Sequence, residues 1–214
     1  MSRFDFNFGA QIQCIDGQNG KLVGLVVNPA DWQVTDLIVK KGFLVGKQAR
    51  LLPLSLVKRV TLENVQLAVH SDEFEHFPQY RQVEYEEPAP TVDQAGGISG
   101  GVFSPLGLYG PVEPTVPMVK KKIREGIVPG QRVIEHKMPL KNVEGTIGSL
   151  AQVWVDRNSE TITQLVVHQG MLFSTEQLVV PMSMVKEINE DDVFISCTHE
   201  ELAELLHQRS ADPV

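Results

Sequence analysis

The sequence has few cysteines, no excess of positive charge and no unbroken apolar run of membrane-spanning length. Two cysteines, Cys14 and Cys197, are too few for a disulfide scaffold of the kind found in small secreted domains. The net charge is −8, whereas a protein that neutralises phosphates needs a basic surplus, so direct nucleic-acid binding is disfavoured. The 214 residues are 42% hydrophobic, which predicts a globular protein of one or two domains.

Neither a signal peptide nor a membrane span is expected. Residues 1–8 contain Asp5 and no apolar core of signal-peptide length. The longest uncharged stretch, residues 94–112, approaches the length of a membrane span but contains six glycines and two prolines. Such a segment is a poor helix and cannot satisfy its backbone hydrogen bonds in lipid. We therefore expect a cytoplasmic protein with reduced cysteines.

The chain contains two copies of one unit. Residues 27–79 align with residues 155–207 without a gap, at an offset of 128, with 12 identities in 53 positions. About three identities are expected by chance when each of twenty residue types is equally frequent. Upstream, Gly9 matches Gly130 only after a gap, which predicts a longer first hairpin loop in copy 2, at residues 136–144.

Each copy has the residue pattern of short strands. Runs rich in β-branched and aliphatic residues flank the turn Asn28-Pro29-Ala30-Asp31, and Asp156-Arg157-Asn158-Ser159 occupies the same place in copy 2. About six strands at this spacing predict a small antiparallel barrel. In copy 1 the predicted strands lie at residues 11–15, 21–28, 32–40, 49–52, 57–60 and 65–69.

A short helix is predicted at the end of each copy. In copy 2, Thr198-His199-Glu200-Glu201 is a capping box, and leucines follow it at helical spacing. In copy 1, Ser71 or His70 is expected to cap a shorter helix, whose Phe74 and Phe77 fold back on the barrel and which stops early at Pro78. The predicted fold class is all-β, with two small antiparallel barrels in tandem.

The connection between the copies, residues 80–125, contains six glycines and six prolines, as is typical of a loosely structured segment. All three tyrosines, Tyr80, Tyr85 and Tyr109, lie in it. A solvated linker would not need them. They either pack against the barrels or form a docking segment, for which Tyr109 is a candidate partner-binding residue.

The repeated unit resembles the PRC-barrel domain. The resemblance rests on a strand, an Asx-Pro turn, and the stretches 34–42 and 52–58, which recur in copy 2 with Arg157 in place of Pro29. The predicted domains are a first PRC-type barrel, a Gly/Pro-rich linker and a second PRC-type barrel, at residues 1–79, 80–125 and 126–214.

The PRC-barrel family includes the cytoplasmic domain of the photosynthetic reaction centre H subunit and the C-terminal domain of a ribosome maturation factor. The resemblance implies a barrel used for protein–protein docking, without a shared catalytic site. We therefore expect a non-catalytic cytoplasmic adaptor that binds protein partners and no cofactor. The alternatives are a ribosome-assembly factor that contacts ribosomal protein and a peripheral regulator of a membrane electron-transfer complex. The two barrels are expected to pair within the chain, and a homodimer is a further option.

Candidate partner-binding residues are apolar side chains at predicted turns. Trp32 stands where copy 2 has Glu160, and a position that accepts glutamate is expected to be exposed. The alternative for Trp32 is packing against the linker. The loop after the third strand adds four residues that flank a core leucine, namely Phe43, Val45, Met171 and Phe173.

No residue spacing predicts a metal, cofactor or catalytic site. Only His199 and His207 share a predicted helix, and they are two turns apart. Cys197 and His199 lie close in sequence, but a strand that enters a helix cap is expected to point them apart. The glycine-rich residues 96–101 lack the lysine and the flanking elements of a phosphate loop.

Charge is distributed unevenly between the copies. Residues 1–79 carry eight basic and eight acidic side chains, whereas residues 126–214 carry six and 13, a net charge of −7. This acidic second copy is either simply solvated or a docking face for a basic partner. The basic run 120–124 is expected to lead into a solvated strand rather than to bind RNA or anionic lipid.

Overall fold

The fold is all-β, as predicted, in the part of the chain that the structure describes. The structure is a computed structural model, and it describes residues 3–41, 49–88, 118–169, 176–198 and 201–202. Strands occupy most of these ranges, and short 3-10 turns join some of them. The predicted alternation of apolar and polar residues therefore yields the predicted class of fold.

Seven strands of the first copy lie in the described ranges. They are β1 Arg3–Asn7, β2 Gln11–Cys14, β3 Gly17–Asn28, β4 Gln33–Lys40, β5 Ala49–Pro53, β6 Val57–Val60 and β7 Asn64–Leu67. The predicted turn between β3 and β4 is built by side chains that cap the local backbone. Asn28 Oδ1 accepts a hydrogen bond from the Ala30 amide at 3.1 Å, and Asp31 Oδ1 accepts one from the Gln33 amide at 3.1 Å.

Two strands of the connecting segment come next, β8 Gln79–Pro88 and β9 Met118–Glu125, and the second copy then repeats the first. Its strands are β10 Arg132–Glu135, β11 Pro139–Asn142, β12 Gly145–Asp156, β13 Ile162–Gln169, β14 Glu176–Pro181, β15 Val185–Ile188 and β16 Val193–Ile195. Asp156 Oδ1 caps the turn between β12 and β13 by accepting from the Asn158 and Ser159 amides, each at 2.9 Å.

The two sheets have the same internal strand order. It is β6-β7-β2-β3-β4-β5 in copy 1 and β15-β16-β11-β12-β13-β14 in copy 2. The expectation of a wholly antiparallel unit is wrong at one ladder in each copy, because β2 pairs with β7, and β11 with β16, in parallel. Within the described ranges, no ladder joins the two end strands of either sheet.

The first strand of each copy lies in the sheet of the other copy. Strand β1 pairs antiparallel with β12, from Arg3 opposite Asp156 to Asn7 opposite Gln152. Strand β10 pairs in the same way with β3. The Arg3 guanidinium also stacks on the Trp154 ring, 3.7 Å from the ring centroid. The two copies are therefore interlocked by an exchange of strands.

A local twofold axis relates the two copies. Gln33 and Thr161, which are equivalent at the offset of 128, face each other in an antiparallel bridge. On either side, the Val34 amide donates to the Glu160 carbonyl at 2.9 Å, and the Ile162 amide donates to the Trp32 carbonyl at 3.0 Å. Such reciprocal contacts between equivalent residues are the mark of a twofold interface.

The predicted longer loop in copy 2 is wrong, because the offset of 128 continues to the first strand. Gly9 donates its amide hydrogen to Leu22 O at 2.7 Å, and Lys137, its equivalent, donates to Leu150 O at 2.9 Å. Both residues have a positive φ, 90° for Gly9 and 64° for Lys137. The gap inferred from Gly130 arises because a lysine takes the conformation that a glycine adopts in copy 1.

One main core runs through both copies. It contains fully buried side chains of each sheet, among them Ile12, Leu37, Leu150 and Leu165. A second cluster contains Tyr80 among strands β3, β4, β5 and β10. The Tyr80 hydroxyl lies 2.8 Å from Glu135 Oε1, to which it donates. Tyr80, which the sequence analysis places in the connecting segment, therefore packs against the sheet of copy 1, as predicted for the aromatics of this segment.

The predicted N-cap of the copy 2 helix is present, whereas the predicted N-cap of the copy 1 helix is wrong by one or two residues. In copy 2, the Thr198 amide donates to Glu201 Oε2 at 2.9 Å, and the Glu201 amide donates to Thr198 Oγ1 at 3.3 Å. In copy 1, Asp72 rather than His70 or Ser71 caps a 3-10 turn at Glu73–His76, because the Ser71 hydroxyl is bonded to Asp16. Phe74 of this turn is fully buried, and Phe77 packs against the main core. The capping box is thus confirmed, and the helix of copy 1 is as short as Pro78 predicts.

The connecting segment separates from the rest of the chain. One compact unit comprises Met1–Arg81 with Arg124–Val214, and the other comprises Gln82–Ile123. Strands β8 and β9 are neighbours, so the ends of a segment expected to be loosely structured are strands. A Cβ added at Gly126 would collide with the Gln79 carbonyl oxygen. The segment therefore leaves and re-enters the paired repeats at adjacent points.

This adjacency predicts that the connecting segment is dispensable for folding. A chain in which a four-residue Gly-Asn turn replaces residues 82–123 should keep its thermal midpoint within about 4 °C, because a shorter loop costs less closure entropy. Differential scanning calorimetry on the two proteins measures this. A fall of more than about 10 °C would show that the segment supports the repeats.

Candidate docking surface

Five of the six predicted partner-binding residues lie outside the described residues: Phe43, Val45, Tyr109, Met171 and Phe173. The structure places the sixth, Trp32, beside the local twofold axis. Its side chain is half-buried and packs against the main core, and its amide donates to the Asn28 carbonyl at 2.8 Å. Trp32 and its equivalent Glu160 both adopt the left-handed conformation, with φ of 60° and 58°. A role for Trp32 in partner binding stays a prediction.

The exposed aliphatic side chains show a feature that sequence reasoning missed. Among the described residues, four large aliphatic side chains are conspicuously exposed: Ile15 at 57%, Leu62 at 59%, Val128 at 64% and Val143 at 75%. Ile15 and Val143 are equivalent at the offset of 128, whereas the equivalent of Leu62 is Glu190. Each copy therefore displays an aliphatic side chain at the turn between its second and third strands.

We call these two turns tip 1 (residues 14–17 with 69–73) and tip 2 (residues 142–145 with 197, 198 and 201). Both have the order aliphatic, acid, glycine, namely Ile15-Asp16-Gly17 and Val143-Glu144-Gly145. This repeat is visible in the sequence only when the alignment is continued upstream without a gap. The inferred gap at Gly9 hid it.

In tip 1, hydrogen bonds join the β2–β3 turn to the C-terminal turn of copy 1. The Ile15 amide donates to the Val69 carbonyl at 3.0 Å. The Ser71 amide and hydroxyl donate to the two carboxylate oxygens of Asp16, at 2.9 and 2.6 Å. The Ser71 hydroxyl lowers the pKa of Asp16 below its ordinary value, because its hydrogen bond favours the carboxylate form. The exposed Ile15 thus projects from a braced turn next to an ionised group.

Tip 2 is held by a buried amide instead. Asn142 is 4% exposed, and its Nδ2 donates to the Cys197 carbonyl at 3.2 Å. Its Oδ1 accepts from the Glu144 and Gly145 amides, at 2.9 and 3.0 Å. These bonds shape the turn that carries Val143 and join it to the segment that follows β16. In both copies the turn is therefore anchored to the segment that follows the last strand, through a carboxylate in tip 1 and through a buried amide in tip 2.

The tips carry negative charge. Tip 1 includes Asp16, Asp72 and Glu73, and tip 2 includes Glu144 and Glu201, all exposed. None of the described residues of the two tips is lysine or arginine. In copy 2 the carboxylates continue into the neighbouring β15–β16 turn, where Lys141 lowers the pKa of Asp192 through a 2.8 Å ion pair.

The cysteine and histidine environments in the described residues do not assemble a catalytic pair. Burial raises the pKa of the Cys197 thiol, which keeps it from becoming a nucleophilic thiolate, and His199 lies outside the described residues. The pKa of His136 is lowered, mainly because the ring is partly buried and to a smaller extent because the positive charge of Lys137 is close. In the same part of the chain, no group of three or more His, Cys, Asp or Glu side chains is placed to hold a metal ion.

Two further findings bear on the class of protein. Across the described ranges, no helix has the length and apolar content that a membrane crossing requires. No protein-family model matches the chain, and no curated protein is similar to it at a significant level.

Proposed function

We propose that this protein is a non-catalytic, cytoplasmic adaptor that docks other proteins on two paired PRC-type barrels. The resemblance of the repeated stretches 34–42 and 52–58 to the PRC-barrel domain supports the family assignment. The same strand order in both copies supports it further, because one sequence pattern builds one topology twice. Closure of each sheet into a barrel belongs to this proposal.

The observation that carries the docking function is the strand exchange between the copies. An adaptor has to hold its binding surfaces in a fixed relation, because each surface that moves freely adds an entropic cost to binding. Two ladders, β1 with β12 and β10 with β3, fix this relation in the present chain. The paired repeats therefore display equivalent surfaces at a constant distance and angle.

Cross-linking in cells tests the proposal. The tagged full chain is compared with the chain in which a short turn replaces residues 82–123, and captured proteins are quantified by mass spectrometry. We expect both baits to enrich the same proteins at least about tenfold over the tag alone, because a specific contact should stand well above background capture. Equal recovery by bait and tag would overturn the adaptor function.

Two variants and three outcomes sharpen this test. Loss of capture in Trp32→Ala or Phe43→Ala would place the contact on the residues predicted from sequence. Capture by the full chain alone would move docking to Gln82–Ile123 and contradict docking by the paired repeats. Recovery of ribosomal proteins or of membrane electron-transfer subunits would replace the general adaptor with one of the two alternative functions.

A further inference from the structure

The most informative surface feature of the repeats is that Ile15 and Val143, both exposed, occupy equivalent positions in the two copies. Isolated exposed aliphatic side chains are common on soluble proteins and need no explanation. These two differ because, of the four exposed aliphatic side chains among the described residues, they alone stand at equivalent positions of the two copies. Leu62, which is equally exposed, has a glutamate as its equivalent.

The two aliphatic side chains are displayed on braced turns. Asp16 and Ser71 join the β2–β3 turn to the C-terminal turn of copy 1, and Asn142 joins the β11–β12 turn to Cys197, which follows β16. A side chain on a braced turn loses little further freedom on binding, so more of its burial energy is available as affinity. Different bonds therefore produce the same result at both tips, a preorganised apolar contact.

The charges of the tips define the chemistry of the occupant. Each aliphatic side chain is bordered by carboxylates, including the ionised Asp16 at tip 1, with no described lysine or arginine within the tip. An anionic membrane surface or an RNA phosphate chain would be repelled there. A protein surface with a shallow apolar pocket and basic residues at its rim is complementary.

From these observations we infer that tip 1 and tip 2 together form a bivalent docking surface for a protein with twofold symmetry. Each subunit of that partner places an apolar pocket over Ile15 or Val143 and basic side chains beside the neighbouring carboxylates. The inference rests on the proposed adaptor function and names its surface and the chemistry of its partner. The local twofold axis of the repeats then coincides with the symmetry axis of the partner.

Both contacts are needed because each one is small. One aliphatic side chain with a charged rim buries too little surface for stable binding by itself. Two such contacts on one rigid body make the second binding step intramolecular, which raises the overall affinity by about 10²–10⁴ over either contact alone. Both tips are therefore required together.

The test uses the full chain and the protein that it recovers most strongly from cross-linked cells, purified and titrated by calorimetry. Ile15→Ser and Val143→Ser should each lower affinity at least about tenfold, and the double variant at least about hundredfold. Leu62→Ser with Val128→Ser is the matched control, because these side chains are equally exposed but not equivalent, and it should change affinity less than about twofold.

Stoichiometry and salt complete the test. We expect one chain to bind one partner dimer, and affinity to fall as salt rises from about 50 to 300 mM, because the rim contacts are exposed charge pairs. Unchanged affinity in the double variant would overturn the inference while the adaptor function stands. If one tip accounts for the whole loss, or one chain binds a monomer, bivalent docking is wrong. If the full chain recovers no protein, the adaptor function itself fails.

Discussion

Phe6→Ala is expected to destabilise both copies together, by about 3–5 kcal/mol, the usual cost of removing a buried aromatic ring. Phe6 belongs to copy 1 by sequence, but it lies in β1, opposite Val153 of copy 2, and is fully buried in the main core. Its ring is 5.7 Å from that of Phe4. The cavity would therefore open where the two copies share one core, and neither copy could unfold without exposing the other.

The two tryptophans allow each copy to be followed separately. Trp32 lies in copy 1 and Trp154 in copy 2, and the chain has no other tryptophan. With 5-fluorotryptophan in place of both, each copy gives its own ¹⁹F resonance during urea unfolding. In Phe6→Ala, both resonances should report the same lowered midpoint, because unfolding is a single cooperative transition.

Ile134→Ala is the matched variant, because Ile134 occupies the equivalent place in β10 and is also fully buried. It should lower both midpoints as well, by the smaller cost of an aliphatic truncation, about 2–5 kcal/mol. If Phe6→Ala moved the Trp154 transition and left that of Trp32 in place, the copies would be independent folding units and the interlocked core would be refuted.

Strands β2 to β7 and the turn between β3 and β4 followed from the sequence because their signals are local, whereas β1, β8 and β9 were not predicted. The turn at Asn28–Asp31 was predictable, since side chains two residues away from a backbone amide can cap it. The capping box at Thr198 was predictable for the same reason. The repeat strengthened these predictions, because a strand predicted in one copy could be checked against the residues 128 positions away in the other.

The strand exchange did not follow from the sequence. Phe4 and Phe6 alternate with polar residues in β1, and this alternation indicates which face of the strand is buried. It does not indicate which of the two sheets the strand joins. The choice of sheet depends on the path of the chain at residues 8–10 and 136–138. There Lys137 adopts the positive φ that Gly9 has in copy 1. Because one residue is a lysine and the other a glycine, the sequence does not reveal that the two positions are equivalent.

The candidate site could be predicted only in part. Trp32 was expected to be exposed, but it is half-buried against the main core beside the axis between the copies. The sequence pattern could not show this, since that axis exists only once the strands have exchanged. The exposed pair Ile15 and Val143 was missed for a related reason. A single aliphatic residue before an acid and a glycine is unremarkable in sequence, and its meaning comes from the repetition and the measured exposure.

Gly148→Ala is expected to destabilise the protein by about 3 kcal/mol, at the upper end of the usual cost of overpacking. Gly148 lies in β12, where an added Cβ would stand 2.5 Å from the His168 carbonyl oxygen and 2.6 Å from Val167 Cγ1. Neither atom can yield easily, because both belong to β13, which is itself held between β12 and β14. The methyl group would therefore push apart the central ladder of copy 2.

Gly145→Ala in the same strand separates this clash from backbone strain. Gly145 has a φ of +139° but no atom within 4 Å of an added Cβ, so we expect a loss of only about 1 kcal/mol. Equal losses for the two variants in urea unfolding would contradict the clash. Gly20→Ala then tests the twofold equivalence itself, because its Cβ would stand 2.6 Å from the carbonyl oxygen of Lys40, the equivalent of His168. If the copies are built alike, it should cost at least as much as Gly148→Ala, since the positive φ of Gly20 adds strain to the same collision.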